Sequence, residues 1–85
     1  MADLRVQRYV CMELARTLLD NYITDRCHGL PRDIDVHVIN VYFTRAKVYA
    51  PDMPSDEVKS IFYHKVLSRK DNLLILPLIS VVQDL

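Results

Sequence analysis

Residues 4–27, LRVQRYVCMELARTLLDNYITDRC, decide the fold. Their apolar side chains recur every three or four positions, the spacing that places them on one face of an α-helix. That face consists of Leu4, Cys11, Ala15, Leu18, Leu19 and Tyr22, with Val10 and Leu14 at its edge. Glu13, Arg16 and Asp20 fall together on the opposite side. The stretch therefore predicts one long amphipathic helix.

Signals at both ends set the limits of this helix. Asp3 can accept hydrogen bonds from the backbone N–H groups that are free at a helix start. Arg26 and His28 stand near the last turn, where the helix dipole favours cations. Gly29 suits the left-handed cap that ends many helices, and Pro31 follows it. We therefore expect the helix to end before this glycine.

Residues 33–50 fit two kinds of structure. Valine, isoleucine and tyrosine are abundant, and the first six residues alternate between polar and apolar, as in a strand. A helix would instead gather most polar side chains into one stripe, with acids at its start and bases near its end. That stripe consists of His37, Asn40, Thr44 and Lys47. Hairpin turns favour glycine, and Gly29 is the only one. We favour a helix over 33–50, with strands in 33–50 and 72–82 as the alternative.

The second half of the chain continues the helical pattern. The segment 51–54 begins and ends with proline and predicts a turn. Ser55 can cap a helix over 55–69, whose first turn is acidic. Pro77 is tolerated badly in a central strand and accepted in a first helical turn, which favours a helix over 74–84. The expected fold is mainly α, a bundle of three to four helices in a single domain, 1–85.

Composition narrows the functional classes. A chain of 85 residues has a thin core, and 51% of this one is apolar, so part of the apolar surface must stay exposed or face a partner. Eleven basic residues balance eleven acidic ones. A dedicated nucleic-acid binder usually carries a basic excess, which is missing here.

The chain carries no pattern of a secreted or membrane-spanning protein. Residues 1–5 lack the features of a secretory signal, and the longest apolar run, 73–79, is too short to cross a bilayer. Cys11 and Cys27 would lie about 24 Å apart along one helix, too far for a disulfide. We therefore expect an intracellular protein, cytoplasmic or nuclear, with reduced cysteines.

No motif for catalysis or cofactor binding occurs. A single glycine cannot build a phosphate-binding loop. Cys27 and His28, with His37 and His64 elsewhere, lack the spacing of a zinc site. Cys11 lies on the apolar face of the first helix, where a buried, inert thiol is expected. The sequence therefore predicts a protein that is not an enzyme and that needs no cofactor or metal.

Arginines are concentrated at the beginning of the chain. On a helix, they would form a basic edge that could contact phosphates or an acidic partner. We favour an ordinary solvated rim, with Glu13 and Asp20 as counter-charges, because the net charge is zero and no aromatic platform lies between the arginines. The members of the edge are Arg5, Arg8, Arg16 and Arg26.

The leading hypothesis is a small helical protein that binds other proteins, either by self-association or as a regulatory or accessory subunit of a larger complex. The apolar surface on the first helix and the C-terminal segment would make the contact. Its predicted members are Leu4, Cys11, Leu18, Tyr22, Leu78 and Val82. The alternative is a dimeric, helical nucleic-acid-binding regulator that uses the arginine edge.

Overall fold

The computed structural model describes residues 3–27 and 33–84, and the side chains of all of these except Arg26 and Cys27. Within these ranges the chain forms four α-helices and no strand. The helices are α1 (Leu4–Cys27), α2 (Ile34–Tyr49), α3 (Ser55–Leu67) and α4 (Leu76–Gln83), and a short 3₁₀ helix, η1 (Leu73–Ile75), directly precedes α4. The predicted helical bundle is confirmed.

The alternative with strands in 33–50 and 72–82 is wrong. The side chains that α2 buries are three or four positions apart, so they lie on one side of a helix. A strand would bury alternate residues, which would separate Val38 from Ile39, whereas both are buried. The high β-propensity of the valines and isoleucines is overridden by their packing against the long first helix. The buried residues of α2 are Asp35, Val38, Ile39, Tyr42 and Ala46.

The helices pack around α1. Ion pairs from Arg8 to Glu57 and from Arg69 to Asp20 join α1 to α3 and to the turn after it. Each pair joins residues 49 positions apart, so a step towards the end of α1 is matched by an equal step along α3. The two helices therefore run in the same direction. Tyr22, near the end of α1, donates a hydrogen bond to Asp35 at the start of α2, so these two helices are antiparallel.

One core serves all four helices. Among the described side chains, seventeen apolar ones are buried in it, and α1, α2, α3, η1 and α4 all contribute. Its centre is aromatic: the rings of Tyr42 and Phe62 lie 4.6 Å apart between centroids, and Phe43 lies 5.5 Å from Tyr42. The loop between α2 and α3 adds Ala50 and Met53.

Helix ends agree only in part with the sequence signals. The backbone N–H of Arg5 donates to the Asp3 carboxylate over 3.1 Å, so Asp3 caps α1 as predicted. Ser55 does not cap α3, because it is already the first helical residue and Pro54 precedes it as the cap without a side-chain bond. Pro77 lies in the first turn of α4, as predicted. The predicted stop signals His28, Gly29 and Pro31 lie outside the described residues.

Candidate interaction surface

Five of the six residues predicted to contact a partner lie inside this chain's own core. Only Leu4 is exposed, at 41% of its surface. The apolar face of α1 packs against α2 and α3. Beyond Leu4, the predicted contact residues on this face are therefore not accessible to a partner. Any partner must therefore meet a different side of the molecule. The buried five are Cys11, Leu18, Tyr22, Leu78 and Val82.

The arginine edge is neutralised where the structure describes it. Arg5 lies 3.6 Å from Asp3, and Arg8 pairs with Glu57 on α3. Arg16 bonds Glu13 over 2.9 Å and also lies 3.6 Å from Asp20. The side chain of Arg26, the fourth member, is outside the described part of the chain. The described members thus have carboxylate partners on this molecule.

Cys11 is unsuited to nucleophilic chemistry. Its side chain is completely buried, and this burial raises the pKa of the thiol, which keeps it protonated. The hydroxyl of Tyr42, which donates to the carbonyl of Val58 over 3.3 Å, also interacts with that thiol and opposes the effect of burial on its pKa. Burial raises the pKa of Tyr42 as well. Both groups are polar members of the core.

Histidines and acids do not converge on one point. His37 and His64 are exposed on different helices, as predicted. Among the residues that the structure describes, no group of three or more histidines, cysteines and acids is placed to hold a metal ion. None of the described helices is both long and apolar enough to pass through a membrane.

The side of α1 next to α2 is free of charge. Successive residues of a helix are rotated by about 100° around its axis. Six side chains of α1 therefore fall within an arc of about 80° that extends along the whole helix, and all six are uncharged. From the second of these onward, they are spaced alternately by four and three residues, the spacing of a helix–helix seam. The first four are apolar or bear a methyl group, and the last two are polar. They are Val6, Val10, Leu14, Thr17, Asn21 and Thr24.

α2 carries a matching row. Its spacing is again four, three, four and three, and four of its five members are β-branched and apolar. Arg45 is the single charge, and it has no carboxylate partner among the described residues. Val48 is 69% exposed, whereas Val38 is almost fully buried. The row consists of Ile34, Val38, Val41, Arg45 and Val48.

We call these two rows, together with Tyr9 and Tyr49 beside them, the α1–α2 face. Tyr9 and Tyr49, which are 63% and 60% exposed, flank a shallow groove of about 280 Å³ where α1 meets the end of α2. The groove is otherwise lined by Val10, Glu13, Leu14 and Thr17. The face borders the core: Val38 belongs to the core, and Leu14, Ile34 and Val41 are partly buried against it.

Two further groups of apolar side chains are exposed. Met12 on α1 borders a cavity of about 340 Å³ against α3, which is lined mainly by Ile61, His64 and Lys65. Leu73 and Leu76 are exposed at the start of the C-terminal segment, and Leu73 is the most exposed large apolar residue described, at 76%. The cavity beside Met12 is larger than the groove at Tyr9 and Tyr49, but each of these groups has fewer exposed large apolar side chains than the α1–α2 face.

The α1 residues that the sequence predicts as partner contacts lie mainly on the buried side of that helix. The strongest apolar periodicity belongs to the residues that α1 buries in its own core. The second row, offset from the first, was detectable as an uncharged seam with alternating spacing, although its two polar ends weaken the signal. The row on α2 could be found only once that segment was known to be helical.

No family model, curated protein or solved structure matches this chain.

Proposed function

We propose that this protein is a small, non-enzymatic protein–protein interaction module, which self-associates or serves as a regulatory or accessory subunit of a larger complex. The contact surface is the α1–α2 face. One observation carries the proposal: the core is already filled, yet tyrosines and valines on two adjacent helices remain more than half exposed. Contiguous apolar surface of this kind marks interaction sites in soluble proteins.

The composition of the face supports a protein partner. Tyrosine provides a large contact area at low cost in side-chain entropy, and charged residues are depleted at the centre of protein interfaces. Tyr9 and Tyr49 both line the groove, and Glu13 is the single charged residue among its described lining residues. The free, buried thiol of Cys11 accords with a reducing compartment, the cytoplasm or the nucleus.

The structure gives less support to the nucleic-acid alternative. Phosphate binding needs cations that are free to replace counterions. Arg5, Arg8 and Arg16 are all paired with carboxylates, and the chain as a whole has no net charge.

A photo-cross-linking experiment tests the proposed function. The full chain, with p-benzoylphenylalanine in place of Tyr9, is irradiated in an extract of the cells that produce it. We expect a discrete protein adduct, either with a second copy or with another protein. The matched control places the same group at Ser60, which is exposed on α3, away from the face. Absence of an adduct at Tyr9, or equal adducts at both positions, would contradict the proposal.

A further inference from the structure

We infer that the occupant of the α1–α2 face is a second copy of this chain, which forms a two-fold symmetric dimer with a layer of four helices, α1 and α2 from each copy. This inference rests on the proposed function and specifies its partner. Three features of the face favour this occupant: its spacing, its charges and its area.

Spacing indicates that the partner is helical. Alternating steps of four and three residues keep a row of side chains on one side of a helix over several turns, so that they can insert between those of a facing helix. Both rows of the face have this spacing, from Val10 to Thr24 on α1 and from Ile34 to Val48 on α2. A second copy presents two helices with the same spacing.

The charges of the face are complementary to those of a second copy. Tyr49 borders Glu13 in the groove, and Arg45 precedes Tyr49 by about one helical turn. If the two-fold axis runs parallel to the helices, α1 of one copy lies over α2 of the other, and Arg45 of each copy reaches Glu13 of its mate. Arg16 uses only the Oε2 atom of Glu13, so Oε1 can accept this second cation.

The other symmetric arrangement is less favourable. An axis perpendicular to the helices would place α1 over α1 in antiparallel fashion. Glu13 of one copy would then lie near Asp20 of the second copy, which brings two carboxylates together although Arg16 and Arg69 already pair with them. The parallel axis avoids this contact. Because the chain has no net charge, two copies also approach without overall repulsion.

The area suffices for a weak dimer. The 16 residues of α2 limit the shared length of the face to about 24 Å, and two adjacent helices are about 20 Å wide. Each copy therefore contributes roughly 500 Å², and the total of about 1,000 Å² is near the lower limit for a specific interface. We expect dissociation in the micromolar range, with monomer and dimer in exchange.

Sedimentation equilibrium of the full chain over a range of about 1–200 µM tests the inference. We expect a monomer–dimer equilibrium with a Kd that the double substitution Val48→Ser and Tyr49→Ser raises at least tenfold. Both side chains are largely exposed, so the variant should keep the far-UV circular dichroism and the melting temperature of the unsubstituted protein. The matched control is Leu73→Ser, which removes the most exposed apolar side chain outside the face and should leave Kd unchanged.

Charge reversal tests the direction of the axis. Arg45→Glu and Glu13→Lys should each raise Kd at least threefold, and the double variant should return it to within about twofold of the starting value. Single effects without this rescue would overturn the arrangement in which α1 lies over α2. A Kd unaffected by the serine substitutions would overturn the assignment of the face.

A monomer at every concentration would overturn the dimer altogether. Failure of the dimer inference can be distinguished from failure of the proposed function, because the cross-linking experiment detects any protein partner. A monomer whose position 9 forms an adduct with a different protein keeps the interaction module and excludes self-association. A monomer that forms no adduct at that position refutes both.

Discussion

At the scale of single residues, the most unusual feature is an acid in the core. Asp35 is only 3% exposed, although it lies in the first turn of α2. The hydroxyl of Tyr22 donates to its carboxylate and lies 3.3 Å from the carbonyl of Leu74. One phenol thus connects α1, α2 and η1. Burying a carboxylate costs free energy unless hydrogen bonds and the helix dipole compensate for it.

Replacing this phenol should destabilise the fold. In Tyr22→Phe the ring still fills its place in the core, while the buried Asp35 carboxylate loses its donor. We expect the free energy of unfolding to fall by about 1–3 kcal/mol, the usual cost of leaving a buried acceptor unsatisfied. Urea denaturation followed by circular dichroism measures this change. Tyr9→Phe is the control, because Tyr9 is exposed. Equal stability of the two variants would mean that the Asp35 carboxylate does not depend on Tyr22.

At the scale of elements, α2 shows why local patterns were insufficient. Its valines and isoleucines suit a strand and a helix equally well, and only the neighbours decide between them. The C-terminal segment has the same ambiguity. There the side chain of Asn72 accepts a hydrogen bond from the backbone N–H of Leu74 over 3.0 Å and so starts η1, which continues directly into α4.

The Asn72 cap should therefore contribute measurably to stability. Asn72→Ala leaves the N–H of Leu74 without its acceptor at the start of η1. We expect the protein to lose about 1 kcal/mol of unfolding free energy, as for other caps replaced by alanine. Thermal or urea unfolding detects a loss of this size. Ser60→Ala serves as the control, because Ser60 is exposed within α3 and its side chain makes no hydrogen bond with the described residues. A loss no larger than in this control would argue against the cap.

At the scale of the whole molecule, the shared core buries two groups that ionise only at high pH, a thiol and a phenol. Cys11 and Tyr42 come from different helices, and their burial raises the pKa of both. In the folded state both groups are therefore held protonated at pH values where the unfolded chain releases the proton. Their contribution to stability is complete below the unfolded pKa values, about 8.5 for cysteine and about 10 for tyrosine. It is lost as the pH rises through the folded pKa values.

This linkage predicts alkaline destabilisation. Between its unfolded and its folded pKa, each such group lowers the free energy of unfolding by about 1.4 kcal/mol per pH unit, and for Tyr42 this range begins at about pH 10. Tyr42→Phe should therefore make the decline with pH shallower by up to that amount. The measurement is a series of urea denaturations between pH 8 and pH 11.5. Tyr49→Phe, at an exposed position, should keep the original slope. An unchanged slope in Tyr42→Phe would contradict the prediction.

The sequence alone determined the helical class, the extent of α1 and the capping role of Asp3, because periodicity and caps act over a few neighbouring residues. It also indicated an excess of apolar surface. Only the tertiary structure decided where that excess lies. Packing against α2 and α3 buries Cys11 and Tyr22, and the weaker row beginning at Val10 lies near the exposed end of α2, where Tyr49 is 60% exposed. Which face a helix buries depends on partners far away in the chain, and no local pattern contains that information.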